Sequence, residues 1–155
     1  MANTQAICKT FRVDILNGLH AFGTSVVRAG TGADSFKAAL YLASATMDAT
    51  ATAYTATGEV SGTNYTATGV AVTNATVPAN TGGTGIVAFW TPSASIAWTT
   101  VTLSTAFDAM LLYNNTAAGK NSVAVFTFGS QTVTAGNFTL TMPTNDLTNG
   151  LIRIS

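Results

Sequence analysis

Apolar and hydroxyl residues alternate strictly along Phe138-Thr139-Leu140-Thr141-Met142, the period of a strand with one buried face. The pattern predicts strands at 109–113, 122–128, 137–142 and 151–154, and it places Leu140 in the core. Val123, Val125 and Thr127 fall on one face of the second strand, with Ala124, Phe126 and Phe128 on the other. Asn114-Asn115 with Gly119-Lys120, and later Asn149-Gly150, carry the turn chemistry between these runs. Upstream, 36–43 alternates with Phe36, Ala38, Leu40 and Leu42 on one side and Lys37 and Tyr41 on the other. Shorter strands are expected at 70–72 and 86–90. A further one at 94–103 is interrupted by a bulge, because the apolar period slips between Trp98 and Val101.

Only the N-terminus carries a helical period. Ile7, Phe11, Ile15 and Leu19 recur at four-residue spacing, which predicts a helix over about 4–17, capped by Asn3 or Thr4 and closed by Asn17-Gly18. Its stripe suits either core packing or docking on a partner. Residues 23–35 read as an irregular loop. The Ala/Thr/Gly-rich stretch 44–85 contains an echo, Tyr54-Thr55-Ala56-Thr57-Gly58 and Tyr65-Thr66-Ala67-Thr68-Gly69, read as two similar strand-and-turn corners. The whole is expected to be all-β: an antiparallel β-sandwich, jelly-roll-like fold or small barrel with one short N-terminal helix. It forms a single domain over 1–155, with the β region at about 36–154.

Composition changes this picture in one respect. Apolar residues make up 47% of the chain, but charged residues only 8%, with six basic and six acidic; about 25% charge is ordinary. Thr, Ser and Asn fill the polar positions, so little repulsion keeps copies apart, and a homo-oligomer, dimer or trimer, is expected. The few cations, scattered from Lys9 to Arg153, form no basic stripe, which argues against direct nucleic-acid binding. No apolar run approaches the roughly 20 residues that span a bilayer. The first residues lack the order of a signal peptide, so synthesis in the cytoplasm is expected. Cys8 is the single cysteine and cannot form an intrachain disulfide.

Candidate chemistry is sparse. His20, the one histidine, could join Asp14 or Asp34 and a serine in a hydrolytic triad, but no G-x-S-x-G elbow is present. The chain owns too few His and Cys for a zinc site. Gly119-Lys120 fails the phosphate-loop pattern, with Asn114 where a Gly is required and Asn121 where Ser or Thr should stand; a hairpin tip is expected. Residues 81–85 have glycines but no lysine, a weak cradle for an anion. Asp108 and Glu59 are the carboxylates a folded sheet could pair across a cleft, although nothing singles them out from Asp14, Asp34, Asp48 and Asp146. Trp90 and Trp98 are expected in the core, with Trp98 an alternative interface anchor. The expected set is therefore empty: no catalytic, cofactor-binding or metal residues, and no enzyme.

Two segments, YTATGEVSGTNYTATG over 54–69 and 111–155, resemble a family of small virion structural proteins from tailed bacteriophages. The phrases that carry the likeness are Gly58-Glu59-Val60-Ser61-Gly62-Thr63, LLYNNTAAGKNSVAVFTFGSQTVTAGNFTLTMP and the terminal Leu-Ile-Arg-Ile. The resemblance implies a capsid decoration, or cement, protein that binds the major capsid protein on the outer head surface and stabilises the assembled shell. A tail or head–tail junction protein is the alternative. A carbohydrate-binding β-sandwich stacking sugar on Trp98 or Tyr113 is the second alternative.

Overall fold

The computed structural model describes residues 2–8, 10–16, 18–23, 32–80 and 87–155. Two long strands, β5 (Ile96–Asn114) and β6 (Ser122–Leu140), form an antiparallel hairpin to which the other elements attach. On one side β5 pairs with β2 (Phe36–Leu42), which pairs with β3 (Val70–Val72). On the other side β6 receives β1 (Ala6–Ile7), giving a five-stranded sheet in the order β1-β6-β5-β2-β3. A second sheet pairs β4 (Ala88–Trp90) with β7 (Ile152–Ile154), also antiparallel. The molecule is mainly β, as its alternating patterns predict.

The helix expected over 4–17 is not formed. Ala6 and Ile7 lie in β1, opposite Val125 and Ala124, and one short helical segment, α1 (Phe11–Leu16), is all that remains. Ile, Cys, Thr, Phe, Val and Asp are middling to poor helix formers, so ladder bonds to β6 outcompete a longer helix. Phe11 is buried and Ile15 packs against the core, so part of the apolar stripe is used as expected. Gly18 closes the segment with φ +68°, its N–H donating to the Ile15 carbonyl.

Four strand runs of the sequence fuse into two. The stretch 104–108 joins the predicted strands at 94–103 and 109–113 into β5, and 129–136 does the same within β6. Repeated register shifts make this possible: extra residues are absorbed on one strand and then the other, and Ser104, Thr105 and Ala106 are left exposed. The predicted bulge lies where the apolar period slips, between Trp98 and Val101, with Thr100 at φ +53°. At the hairpin tip Asn114 Oδ1 accepts from the backbone N–H groups of Thr116 and Ala117. Lys120 adopts φ +50° and its Nζ donates to the Asn115 carbonyl at 2.7 Å.

The core lies along β2 and both halves of β5, where Ala38, Leu40, Phe107, Leu111 and Leu112 are fully buried and Ile96, Trp98, Val101 and Leu103 nearly so, with Val125 of β6 beside them. Tyr41, on the side of β2 opposite Leu40, is buried too, so both faces of the strand are covered. Rings join the two sheets: Phe22 stacks on Phe36 of β2 at 4.5 Å and lies 4.6 Å from Trp90 of β4. Leu140 is only half-buried at the far end of β6, opposite Ile96. Its face is as predicted, but its depth is less.

Candidate functional site

The two copies of Tyr-Thr-Ala-Thr-Gly meet at one carboxylate. Each copy ends in a turn closed by a left-handed glycine, Gly58 at φ +79° and Gly69 at φ +73°. The first turn hands the chain to Glu59. Tyr54 Oη donates to Glu59 Oε2 at 2.6 Å, while Tyr65 Oη and the Thr68 N–H donate to Oε1 at 2.8 and 2.9 Å. Tyr65 Oη in turn accepts from the Leu40 N–H of β2. The remaining two tyrosines of the chain complete the cluster: Tyr41 donates to the Thr55 carbonyl, and Tyr113, stacked on Tyr54 at 5.0 Å, donates to the Thr68 carbonyl. Burial, followed by the neighbouring carboxylate, pushes the Tyr54 hydroxyl up to about 12. Burial likewise holds Tyr41, Tyr65 and Tyr113 above the ordinary phenol range. Hydroxyls so reluctant to ionise are poor bases or nucleophiles at neutral pH. The cluster is a clamp that ties 54–69 to β2 and β5.

A second polar cluster gathers His20, Asp14 and Asp34, the residues of the considered triad. His20 Nε2 faces Asp14 Oδ2 at 3.6 Å, and its ring lies among Phe11, Phe22 and Phe36. On its other side Nδ1 meets an amide, not a serine: Asn114 Nδ2 lies 3.2 Å away. The same amide group reaches the Leu19 carbonyl at 3.1 Å and Asp34 Oδ2 at 2.9 Å, so two protons serve three acceptors. Asp34 Oδ2 also accepts from the Ala21 N–H, and Asn74 Nδ2 donates to the Asp34 carbonyl. A buried asparagine occupies the place a nucleophile would need, and the arrangement anchors the segments 18–23 and 32–35 on the hairpin tip.

The other candidates are dispersed. Asp108 accepts from the Asn3 amide while Glu59 sits in the tyrosine cluster, so the two carboxylates belong to separate networks. The Cys8 thiol is pushed up to about 11, chiefly by burial, which leaves it protonated and unreactive at neutral pH. Asp146 is held well below the usual carboxylate range by the Asn149 side chain, the Thr144 hydroxyl and the Asn149 and Thr148 N–H groups, an exposed local turn. Trp90 is buried and donates to the Thr76 carbonyl. Trp98 and Tyr113, named for sugar stacking, are 2% and 1% exposed. Among the described residues no group of three His, Cys, Asp or Glu could hold a metal ion. No helix among them is long and apolar enough to cross a membrane. The glycine run at 81–85 lies outside the described residues.

What remains is surface. Beyond Val125, where β1 ends its ladder, the outer edge of β6 has no backbone partner among the described residues. Phe126, Phe128, Val133, Phe138 and Leu140 are half-buried along it, with exposed Thr132, Thr134 and Thr139 between them. No charged residue occurs between Lys120 and Asp146. This edge was not singled out from the sequence, which shows separate short strands at 122–128 and 137–142. The Glu59 cluster was missed as well, although its signal was present: an acidic residue set between two copies of one tyrosine-bearing phrase.

No protein-family model, curated protein or solved structure matches the chain.

Proposed function

We propose that this protein is a non-enzymatic structural component of a tailed-bacteriophage virion that coats the outside of the assembled head and stabilises it, with the major capsid protein as its partner. The observation that carries the proposal is the set of sequence phrases that resemble those of small virion proteins, which fall on the Glu59 turn, the β5–β6 hairpin and β7. Two features of the molecule support it. The polar clusters at Glu59 and at Asn114 tie loops to strands, as a clamp requires. Strand β6 offers an uncharged, hydroxyl-rich surface that can be covered without stranding charges. In this proposal the five-stranded and two-stranded sheets are the layers of a β-sandwich or jelly-roll-like fold, joined through Phe22, Phe36 and Trp90.

A protein that binds only assembled shells stabilises them by its binding free energy, multiplied over the lattice. The test is co-sedimentation with purified empty heads, followed by heating. Saturable binding to heads, with a raised disruption temperature, is expected. Binding to tails or portal rings instead would assign the protein to the junction or tail.

A further inference from the structure

We infer that the outer edge of β7 is a docking site for an extended, acidic peptide segment of a partner protein, added to it as a strand. Phe89 of β4 turns both its N–H and its C=O towards Ala79, in bonds of 2.9 and 3.0 Å. β4 therefore bonds β7 through Ala88 and Trp90, opposite Ile154 and Ile152, and the Phe89–Arg153 pair between them is not hydrogen-bonded. The N–H and C=O of Arg153 point the other way, out of the sheet, and meet no partner among the described residues. A groove of about 320 Å³ lies between β7 and the β1–β6 pair. Gly150, Leu151 and Arg153 form one wall, and Gln5, Ile7 and Phe126 line the other.

The chemistry of the walls selects the occupant. Ile7, Phe126 and Leu151 are half-buried apolar side chains, and Arg153, exposed, is the one charged residue lining the groove among the described residues. Its guanidinium has no carboxylate partner there: the one ion pair among the described residues joins His20 to Asp14. Asp146, the acid nearest in sequence, is occupied by Thr144, Thr148 and Asn149. A second copy of this chain is a poor source of the missing anion. All six of its carboxylates already accept hydrogen bonds within the fold. The two held only by neighbours in sequence, Asp48 and Asp146, sit in tight turns that cannot run along an edge. A foreign strand fits better. In an antiparallel addition the residue opposite Arg153 shares its face, and the residue two further on lies opposite Leu151. The pattern recognised is therefore Asp or Glu, any residue, then an apolar residue. The acid pairs with Arg153, and the apolar side chain enters the groove beside Leu151, Ile7 and Phe126. Main-chain bonds to Arg153 serve any strand, and the two side chains supply the selectivity. So short an edge gives weak, reversible binding.

This contact does not depend on head binding, so it is tested with the free full chain. The probe is the peptide acetyl-Thr-Glu-Thr-Leu-Thr-amide, titrated into isotope-labelled protein and followed by amide NMR. Saturable shifts at Gln5, Ile7, Leu151 and Arg153 are expected. Replacing the peptide's glutamate by lysine, or methylating the glutamate nitrogen that would donate to the Arg153 carbonyl, should weaken binding roughly tenfold or more. Arg153→Glu should reverse the preference, taking the lysine peptide over the glutamate one. Melting confirms that this variant keeps the fold; should it not, Arg153→Gln takes its place and should bind the two peptides equally. No shifts at millimolar peptide, shifts confined to other residues, or equal binding of the glutamate and lysine peptides by the wild-type protein would each overturn the inference.

Discussion

Tyr54 and Tyr65, the first residues of two identical five-residue phrases, hold opposite oxygens of the single carboxylate of Glu59, at 2.6 and 2.8 Å. The two contacts are not equivalent. Tyr65 also accepts from the buried backbone of Leu40 in β2, whereas Tyr54 stacks on Tyr113 of β5. Tyr65→Phe strands the Leu40 N–H as well as removing a bond to a charged group, and should cost about 2–3 kcal/mol. Tyr54→Phe should cost about 1 kcal/mol. Urea unfolding of the two variants checks this; equal losses would show that the Leu40 link contributes nothing.

The glycines that close the two phrases should be intolerant of a side chain. A Cβ at Gly69, already at φ +73°, would lie 1.9 Å from the Ala38 carbonyl oxygen, backbone of the interior strand β2. Gly69→Ala should therefore cost more than about 3 kcal/mol. Gly129, on the open part of β6, has nothing within 4 Å of a built Cβ. Gly129→Ala should be neutral or stabilising by about 0.5 kcal/mol. Thermal melts of the pair give the comparison, and a harmless Gly69→Ala would contradict the packing of 54–69 on β2.

How much was legible before the structure depended on how local the cause was. The slip after Trp98, the hairpin tip at Lys120 and the left-handed Gly18 all follow from neighbouring residues, and each is found in place. Depth was not legible. Leu140 and Leu40 sit in similar alternating runs, yet one lies at the end of a hairpin and the other beneath two layers. The helix over 4–17 failed for a related reason: its stripe is real, but a strand edge made far away at Ala124 competes for Ile7. Neither polar cluster could be assembled from spacing, since Asn114 reaches His20 across 94 residues of chain.

That difference in depth can be measured. Leu40→Ala removes a fully buried side chain and should destabilise by about 2–5 kcal/mol. Leu140→Ala, at a half-buried position, should cost about 1–2 kcal/mol. Chemical denaturation of both variants decides it, and a larger loss at Leu140 would contradict its half-buried position.

The tyrosine cluster also sets an alkaline limit. Folding raises the four phenols above their unfolded value near 10, with Tyr54 at about 12, so the unfolded chain loses protons first as pH rises. Their contribution to stability is complete below pH 10 and falls as pH climbs from there towards 12 and beyond. Cys8, raised from 9 to about 11, acts in the same direction over a lower range. Phenolate absorbance should stay low through pH 10 and then rise together with loss of the fold. Tyrosines that titrate near pH 10 in a folded protein would contradict the burial of the cluster.

Cryo-EM of virions, with copy number counted from the density, bears most directly on the proposal that this protein coats a phage head. Head decoration predicts hundreds of copies on the outer shell at positions repeated by its symmetry, with density contacting the major capsid protein. A single ring at one vertex, a stack along the tail, or no virion density at all would contradict it.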